Sequence, residues 1–325
     1  MAYKAEPIPL YGIEPIPPGI EEIIKCYISS QLEYHNFEND LILYHYSNLN
    51  GIKGILSNRS FFCTNIEYVN DNKEINYGIS LINEIIADEK DEKSKSFRNI
   101  VGQVFDKCII KDIFNFFITC FSENNNLERQ WKEYADEEKG CCIGIDFNSH
   151  EYPSFINYSD NLNMPGSKQC KAALRKVIYN RDEQVNRAKD CFEFYKNLAN
   201  DKVANQYMPH VAMHAANAFF ELSTYFKDYQ YKDENEWRLL YYGQPKCLEK
   251  SIKIKEFEGK KKEYLELFLY KDVSCQRIFP LTSIALGKNN LNKKIRMELK
   301  ESIDNTRQIN NQISIRSDIE VFTRE

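Results

Sequence analysis

"LILYHYSNLNGIKGIL", residues 41–56, is the stretch on which the fold turns. Residues 41–47 are apolar and aromatic in the manner of a buried strand, and they deliver His45 and Tyr46 to its end. A polar turn follows, and Gly51–Asn58 reads as a short helix. A histidine at a strand end can be a packed core residue or a pocket residue, and the stretch alone leaves both readings open. Tyr46 points to the opposite side of a regular strand from His45 and is assigned to packing.

The same reasoning extends along the chain. "SFFCTN" (60–65), "NFFITCFS" (115–122), "GCCIGIDF" (140–147), "EWRLLYYG" (236–243), "YLELFLY" (264–270) and "SIALG" (283–287) read as strands. A further strand is expected near 154–158 within an otherwise irregular 148–180, and a last one at "QISIRSDI" (312–319). Helices are predicted over 20–35, 71–90, 97–111, 127–138 and 291–304. Asp71 and Glu74 have the spacing of a capping box. In 127–138, Leu127, Trp131 and Tyr134 share one face. A long helical region at about 181–226, broken near Pro209, carries the stripe Val203, Tyr207, Val211, Ala215, Ala218 and Leu222. Strands and helices do not alternate regularly, so the fold class is α+β, with a mixed sheet and a helical insertion. The chain divides into a Pro-rich arm plus leading helix (1–40) and one domain (41–325).

Composition narrows the function classes. The 325 residues are 42% hydrophobic and 28% charged, which marks a folded chain and not a disordered one. No run of about 18 apolar residues exists, so no membrane span is expected. The N-terminus lacks a basic region followed by an apolar stretch, and a cytoplasmic location is the expectation. Ten cysteines are scattered without a C-x-x-C pair, which argues against a zinc or disulfide framework. Cys26, Cys63, Cys120, Cys142 and Cys191 have apolar surroundings and read as small core residues. Net charge is −5, yet residues 246–300 hold 14 Lys and Arg against 7 Asp and Glu. That segment reads as a solvated face ahead of a nucleic-acid surface.

The candidate chemistry lies in four clusters: His45-Tyr46; Asn70-Asp71 with Glu74; "TCFS" (119–122) with "WKEYADEEKGCCIGID" (131–146); and "KDENEWRLLYY" (232–242). On a strand, Glu234, Glu236 and Arg238 fall on one side, and Trp237 and Leu239 face the core. That pattern fits a half-exposed strand, and it equally fits a cleft that binds sugar hydroxyls and a developing positive charge. His210 and His214 have one-turn spacing, but Val211 stands where a zinc protease carries its glutamate. No phosphate-binding glycine loop and no nucleophile elbow is present.

Taken in order, "LYHYSNLNGIKGIL", "NDNKE", "TCFS", "WKEYADEEKGCCIGIDF" and "ENEWRLLYY" resemble a bacterial family catalogued as domain of unknown function 2971. More distantly, the strand ending in His45 is similar to the opening of ADP-ribosyltransferase-like folds. That resemblance implies a fold of the ADP-ribosyltransferase kind and NAD as a substrate. His45 then anchors a ribose. Ser122 or Tyr134 shapes the nicotinamide pocket, with Arg238 beside them. Glu236 and Glu234 form the catalytic acidic pair. It further implies no metal, a protein or nucleic-acid target, and a role as toxin or defence effector. Tyr46-Ser47 stands where many such transferases carry a glycine. Two alternatives stay open: a nucleotide-sensing or partner-binding module without turnover, and a Mg²⁺ nuclease built on Asp71, Glu74, Glu234 and Glu236.

Overall fold

The computed structural model describes residues 16–31, 41–69, 72–91, 94–105, 115–147, 154–157, 170–243, 245–257, 259–273, 276–289, 293–304, 313–315 and 319–324. Residues 1–15 of the Pro-rich arm, Asn70 and Asp71 lie outside them.

The strands are β1 (Ile42–Ser47), β2 (Ser60–Asn65), β3 (Asn115–Ser122), β4 (Cys141–Asp146), β5 (Ser154–Asn157), β6 (Cys170–Lys176), β7 (Glu236–Gly243), β8 (Lys253–Phe257), β9 (Lys260–Val273), β10 (Gln276–Ile278), β11 (Leu281–Leu286), β12 (Ile313–Ser314) and β13 (Glu320–Thr323). They join a curled mixed sheet in the order β12-β10-β9-β2-β3-β1-β4-β11-β13. β7 attaches to β3, β6 to β7, and β5 and β8 to β9. The pairs β10–β12 and β11–β13 are parallel. Among the described residues, no helix is long and apolar enough to cross a membrane.

The branch at β3 decides where a site can form. One edge of β3 is paired along its length by β7, from Asn115↔Gly243 to Ser122↔Glu236. The other edge is divided. β2 pairs it at Ile118 and Phe117, and β1 pairs it only through Tyr44↔Ser122. Between those contacts β1 and β2 diverge, and the sheet opens.

Helices cover both faces. α1 (Pro18–Gln31), α3 (Asn72–Asp88), α4 (Lys95–Val104), α6 (Arg181–Asn200) and α7 (Met208–Ser223) bury one core with Phe116, Ile118, Leu240 and Tyr242. α2 (Leu49–Asn58) and α9 (Lys293–Asp304) bury a second core on the opposite face with Phe117, Phe121, Trp237, Leu239 and Tyr241. α5 (Glu128–Glu133) sits on a small third cluster with Tyr46 and Cys142, and α8 (Pro245–Leu248) follows β7. Asn48 caps α2 by accepting from Gly51 N–H at 2.8 Å. At its far end Arg59 takes the left-handed conformation, φ 59°. The buried guanidinium of Arg59 donates to the Ile303 carbonyl at the end of α9, where a cation suits the helix dipole.

The architecture is thus mixed α and β with a helical region between β6 and β7, and several expectations need correction. The irregular 148–180 contains β6, which exists because it pairs along β7 from Cys170↔Gly243 to Lys176↔Trp237. The terminal strand is two pieces that join different neighbours, β10 and β11. Helix 127–138 stops at Glu133, because Asp136, Glu137 and Glu138 all have positive φ. Tyr134 therefore leaves the buried face of Trp131 and is 48% exposed. Val203 lies between α6 and α7, exposed and outside the apolar stripe. Cys26 is exposed and Cys120 is open only to a cavity beside β3, whereas Cys63, Cys142 and Cys191 are buried. β7 is buried on both faces, since the helical region covers the side expected to meet solvent.

Candidate functional site

The opening beside β3 leads into a cavity of about 240 Å³. His45, Tyr134, Glu234, Glu236 and Arg238 all line it. Five residues from three of the four sequence clusters are brought together; Ser122 is not among the lining residues.

His45 sits at the split. Its ring nitrogen Nδ1 lies 2.9 Å from the Cys120 carbonyl, on the stretch of β3 that neither β1 nor β2 pairs. A carbonyl only accepts, so Nδ1 carries the proton and Nε2 is left as an acceptor. The ring packs edge-on against Phe61 and tilted against Phe121, with centroids 5.3 and 5.7 Å away. Burial pushes the imidazole pKa down, against a smaller upward pull from the Cys120 carbonyl. The histidine is therefore a neutral polar group at physiological pH.

Tyr46 performs the packing expected of it. Its hydroxyl donates to Asn124 O at 2.6 Å and accepts from Leu127 N–H at 3.3 Å, and its ring meets Trp131 edge-on at 5.3 Å. Trp131 Nε1 donates to Asn125 O at 3.0 Å. These contacts fix α5 against β1 and deliver Tyr134, at the helix end, to the rim of the cavity. The left-handed loop after Tyr134 is clamped tightly. A Cβ on Gly140 would lie 2.3 Å from Ser47 O, and one on Gly287 would lie 2.1 Å from Glu138 O.

The back wall is charged. Glu234 is not on β7 but ends a 3-10 turn, Tyr229–Glu234. Asn235 then adopts φ 42°, a left-handed conformation that asparagine tolerates. Through this kink both carboxylates reach Lys227, whose Nζ is 2.5 Å from Glu234 Oε2 and 2.9 Å from Glu236 Oε2. Arg238 forks onto Glu236, Nε to Oε1 at 2.7 Å and Nη2 to Oε2 at 2.9 Å. Its Nη1 donates to Thr224 O at the end of α7 at 2.7 Å. Arg129 Nη1 stands 3.6 Å from Glu234 Oε1. Ser122 supports the wall from behind, donating to Glu234 O at 2.8 Å.

The electrostatics separate the two acids. Burial pushes the Glu236 carboxyl up, but Arg238 and Lys227 outweigh it and bring it down to about 2. Burial raises Glu234, and Lys227 only partly offsets that. Glu236 is thus a permanent anion, and Glu234 is the carboxyl with the more basic character. The Cys120 thiol, opposite Arg238 in register, is pushed well up by burial and by Glu236.

Lys227 and Cys120 are site residues that motif reasoning missed. Lys227 lies in a loop after α7, held where Phe226 bridges to Ile178, and carries no spacing signal. Cys120 was visible as the residue two before Ser122 on the same strand face, but its apolar neighbours suggested core. Among the described residues, no group of three or more His, Cys, Asp and Glu could hold a metal ion. Asp71 lies outside those residues, as does the side chain of Glu74. Between Glu234 and Glu236 an ammonium already occupies the place a divalent cation would take.

A curled mixed sheet with a cation–carboxylate pocket at its split is the class of protein that fold and site define. Residues 130–239, about a third of the chain, match the family described as "Protein of unknown function (DUF2971)". The match supports the resemblance to that family, and its span includes Tyr134, Lys227, Glu234, Glu236 and Arg238. Comparison with curated proteins and with solved structures found no match.

Proposed function

We propose that the cavity binds the nicotinamide–ribose half of NAD and cleaves the bond between them, as an ADP-ribosyltransferase-type enzyme. One observation carries the reading: His45, Tyr134 and Glu236, from three distant segments, line one cavity. Its volume, about 240 Å³, falls below the ~300–1,000 Å³ usual for drug-sized ligands. It therefore takes a nucleoside-sized group, with the rest of the dinucleotide outside.

Cleavage would pass through an oxocarbenium-like ribosyl cation. Glu236, held ionised, supplies negative charge and an acceptor for a ribose hydroxyl. A carboxylate has about four acceptor positions. Arg238 takes two, Lys227 one, and the weak thiol donor of Cys120 the fourth. A ribose hydroxyl would displace the thiol. His45 offers Nε2 to the same sugar, Tyr134 offers an aromatic face to the nicotinamide, and Glu234 can accept the proton of the incoming nucleophile.

The test is nicotinamide release from NAD by the whole chain, with protein, DNA and RNA offered as acceptors. Wild type should release nicotinamide, and Glu236→Gln and Tyr134→Ala should each release less. The reading fails if wild type releases none and labels nothing, or if Glu236→Gln turns over like wild type. A second reading, nucleotide binding without turnover, draws on the saturation of Glu236 by Lys227 and Arg238. Saturable thermal stabilisation by NAD without product would favour it.

A further inference from the structure

We propose that the groove behind the charged wall, between α3 and the turn that follows α7, binds an unphosphorylated ribonucleoside. The proposal stands on the groove itself and is independent of the reaction assigned to the cavity.

Three segments build the groove. α3 gives Tyr77 and Glu84, the junction of β6 and α6 gives Tyr179 and Arg181, and the turn after α7 gives Asp228 and Tyr229. The groove encloses about 650 Å³, inside the ~300–1,000 Å³ usual for small-molecule sites. It shares no lining residue with the cavity at the split of β3. Tyr179 stands between the two, because its hydroxyl accepts from Glu236 N–H at 3.0 Å while the Glu236 side chain faces the cavity.

The groove offers two donors, one acceptor and an aromatic face. The Tyr179 hydroxyl is used as an acceptor, and so is that of Tyr229, which takes Lys232 Nζ at 2.8 Å. Each keeps its own proton to give, and neither meets an acceptor among the described residues. Tyr77 differs, since its hydroxyl donates to Gln184 Oε1 at 2.9 Å. Asp228 is exposed and turns one oxygen to Gln230 N–H at 2.9 Å. Its other oxygen has no partner among the described residues. The Tyr229 ring is 57% exposed.

Charge narrows the ligand. Arg181, the cation of the lining, is paired with Glu84 at 3.0 Å, and Asp228 repels a phosphate. A cationic ligand is disfavoured as well. Arg181 stands 5.8 Å from the Tyr77 ring centre and Lys232 4.4 Å from that of Tyr229, so protein cations already hold those rings. A neutral ligand remains. It needs a planar ring for Tyr229, acceptors for two hydroxyls, and hydroxyls for Asp228. A nucleobase meets the first two needs and the ribose diol meets the third.

The experiment is isothermal titration calorimetry with adenosine and with uridine, and no NAD present. Saturable binding is expected. 2′-Deoxyadenosine should bind about tenfold more weakly, because Asp228 loses a hydroxyl. Adenosine 5′-monophosphate should bind more weakly than adenosine. Asp228→Asn keeps a cap for Gln230 N–H and should weaken adenosine about tenfold. Tyr229→Ala should weaken it about fivefold. Both side chains are exposed, so both variants should unfold at the wild-type temperature. Absence of saturable binding at millimolar nucleoside overturns the proposal. So does tighter binding of the monophosphate, or wild-type binding by both variants. Loss of binding in Tyr134→Ala, with binding kept in the two groove variants, would place the nucleoside in the cavity and also overturn it. Because NAD is absent, none of these outcomes bears on nicotinamide release.

Discussion

Replacing Glu236 by glutamine should destabilise the protein in a way that fades as pH falls. In the folded chain the Glu236 carboxyl titrates at about 2, against an ordinary value of 4.5, because Arg238 and Lys227 hold it ionised. A depressed carboxylate contributes stability that is present above its unfolded pKa and lost as pH drops through the folded one. The window is therefore about pH 4.5 down to about 2. At pH 7 the difference amounts to about 3 kcal/mol. At pH 3 the unfolded carboxyl is largely protonated while the folded one is still mostly ionised, and about 1 kcal/mol remains. The figure at pH 7 agrees with the roughly 3–5 kcal/mol measured on breaking buried ion pairs.

Urea unfolding of wild type and Glu236→Gln at pH 7 and pH 3 measures this. The gap between them should narrow by about 2 kcal/mol on acidification. Carboxylates remote from Glu236 titrate alike in both proteins and cancel in the gap; Glu234, which shares Lys227 with Glu236, does not. A gap that is small at pH 7, or that stays constant with pH, would refute the assignment of Glu236 as a buried anion between two cations.

Three further outcomes test the geometry. Gly287→Ala places a Cβ about 2 Å from the Glu138 carbonyl and should cost about 1–3 kcal/mol in chemical denaturation, with Tyr134 fluorescence or ligand affinity disturbed as the loop shifts. His45→Phe keeps the ring between Phe61 and Phe121 but leaves the Cys120 carbonyl without its donor, for a loss of about 1–3 kcal/mol in the same assay. Cys120 should react with iodoacetamide at pH 7 more slowly than Cys26, read by peptide mass spectrometry, because burial and Glu236 disfavour its thiolate.

Local periodicity carried much of this architecture. β1, β2, β3 and β7 were legible because each is a short run of aromatic and branched residues bounded by polar turns. β6 was not, since "CKAALRK" has little strand preference of its own and is made a strand by β7. The end of α5 was hidden for a similar reason. Nothing in "YADEEKG" announces three left-handed residues, which are held by tertiary bonds such as Asn289 N–H to Glu138 O. At the site, the acidic pair and His45 stood out because carboxylates and imidazole are conspicuous in an apolar context. Lys227 did not, because a lysine after a helix is ordinarily solvated, and only the fold shows it buried between Glu234 and Glu236.

The divided edge of β3 ties these observations together. A strand edge shared by two diverging partners leaves backbone groups that must be satisfied, and a gap that must be filled. His45 does both from one side, bonding the Cys120 carbonyl with its ring in the gap. From the other side the gap is closed by charge, with Glu236 and Arg238 projecting from β7 beneath it. Two buried charges on one strand need further partners, and the helical region between β6 and β7 supplies them: Thr224 O for the guanidinium and Lys227 for both carboxylates. The end of the helical region and the loop after it thus complete the charged back wall, with Lys227 lining the cavity. Shortening it at Thr224 or Lys227 would leave Arg238 and Glu236 buried and under-bonded, which makes those two positions structural requirements for any chemistry the cavity performs.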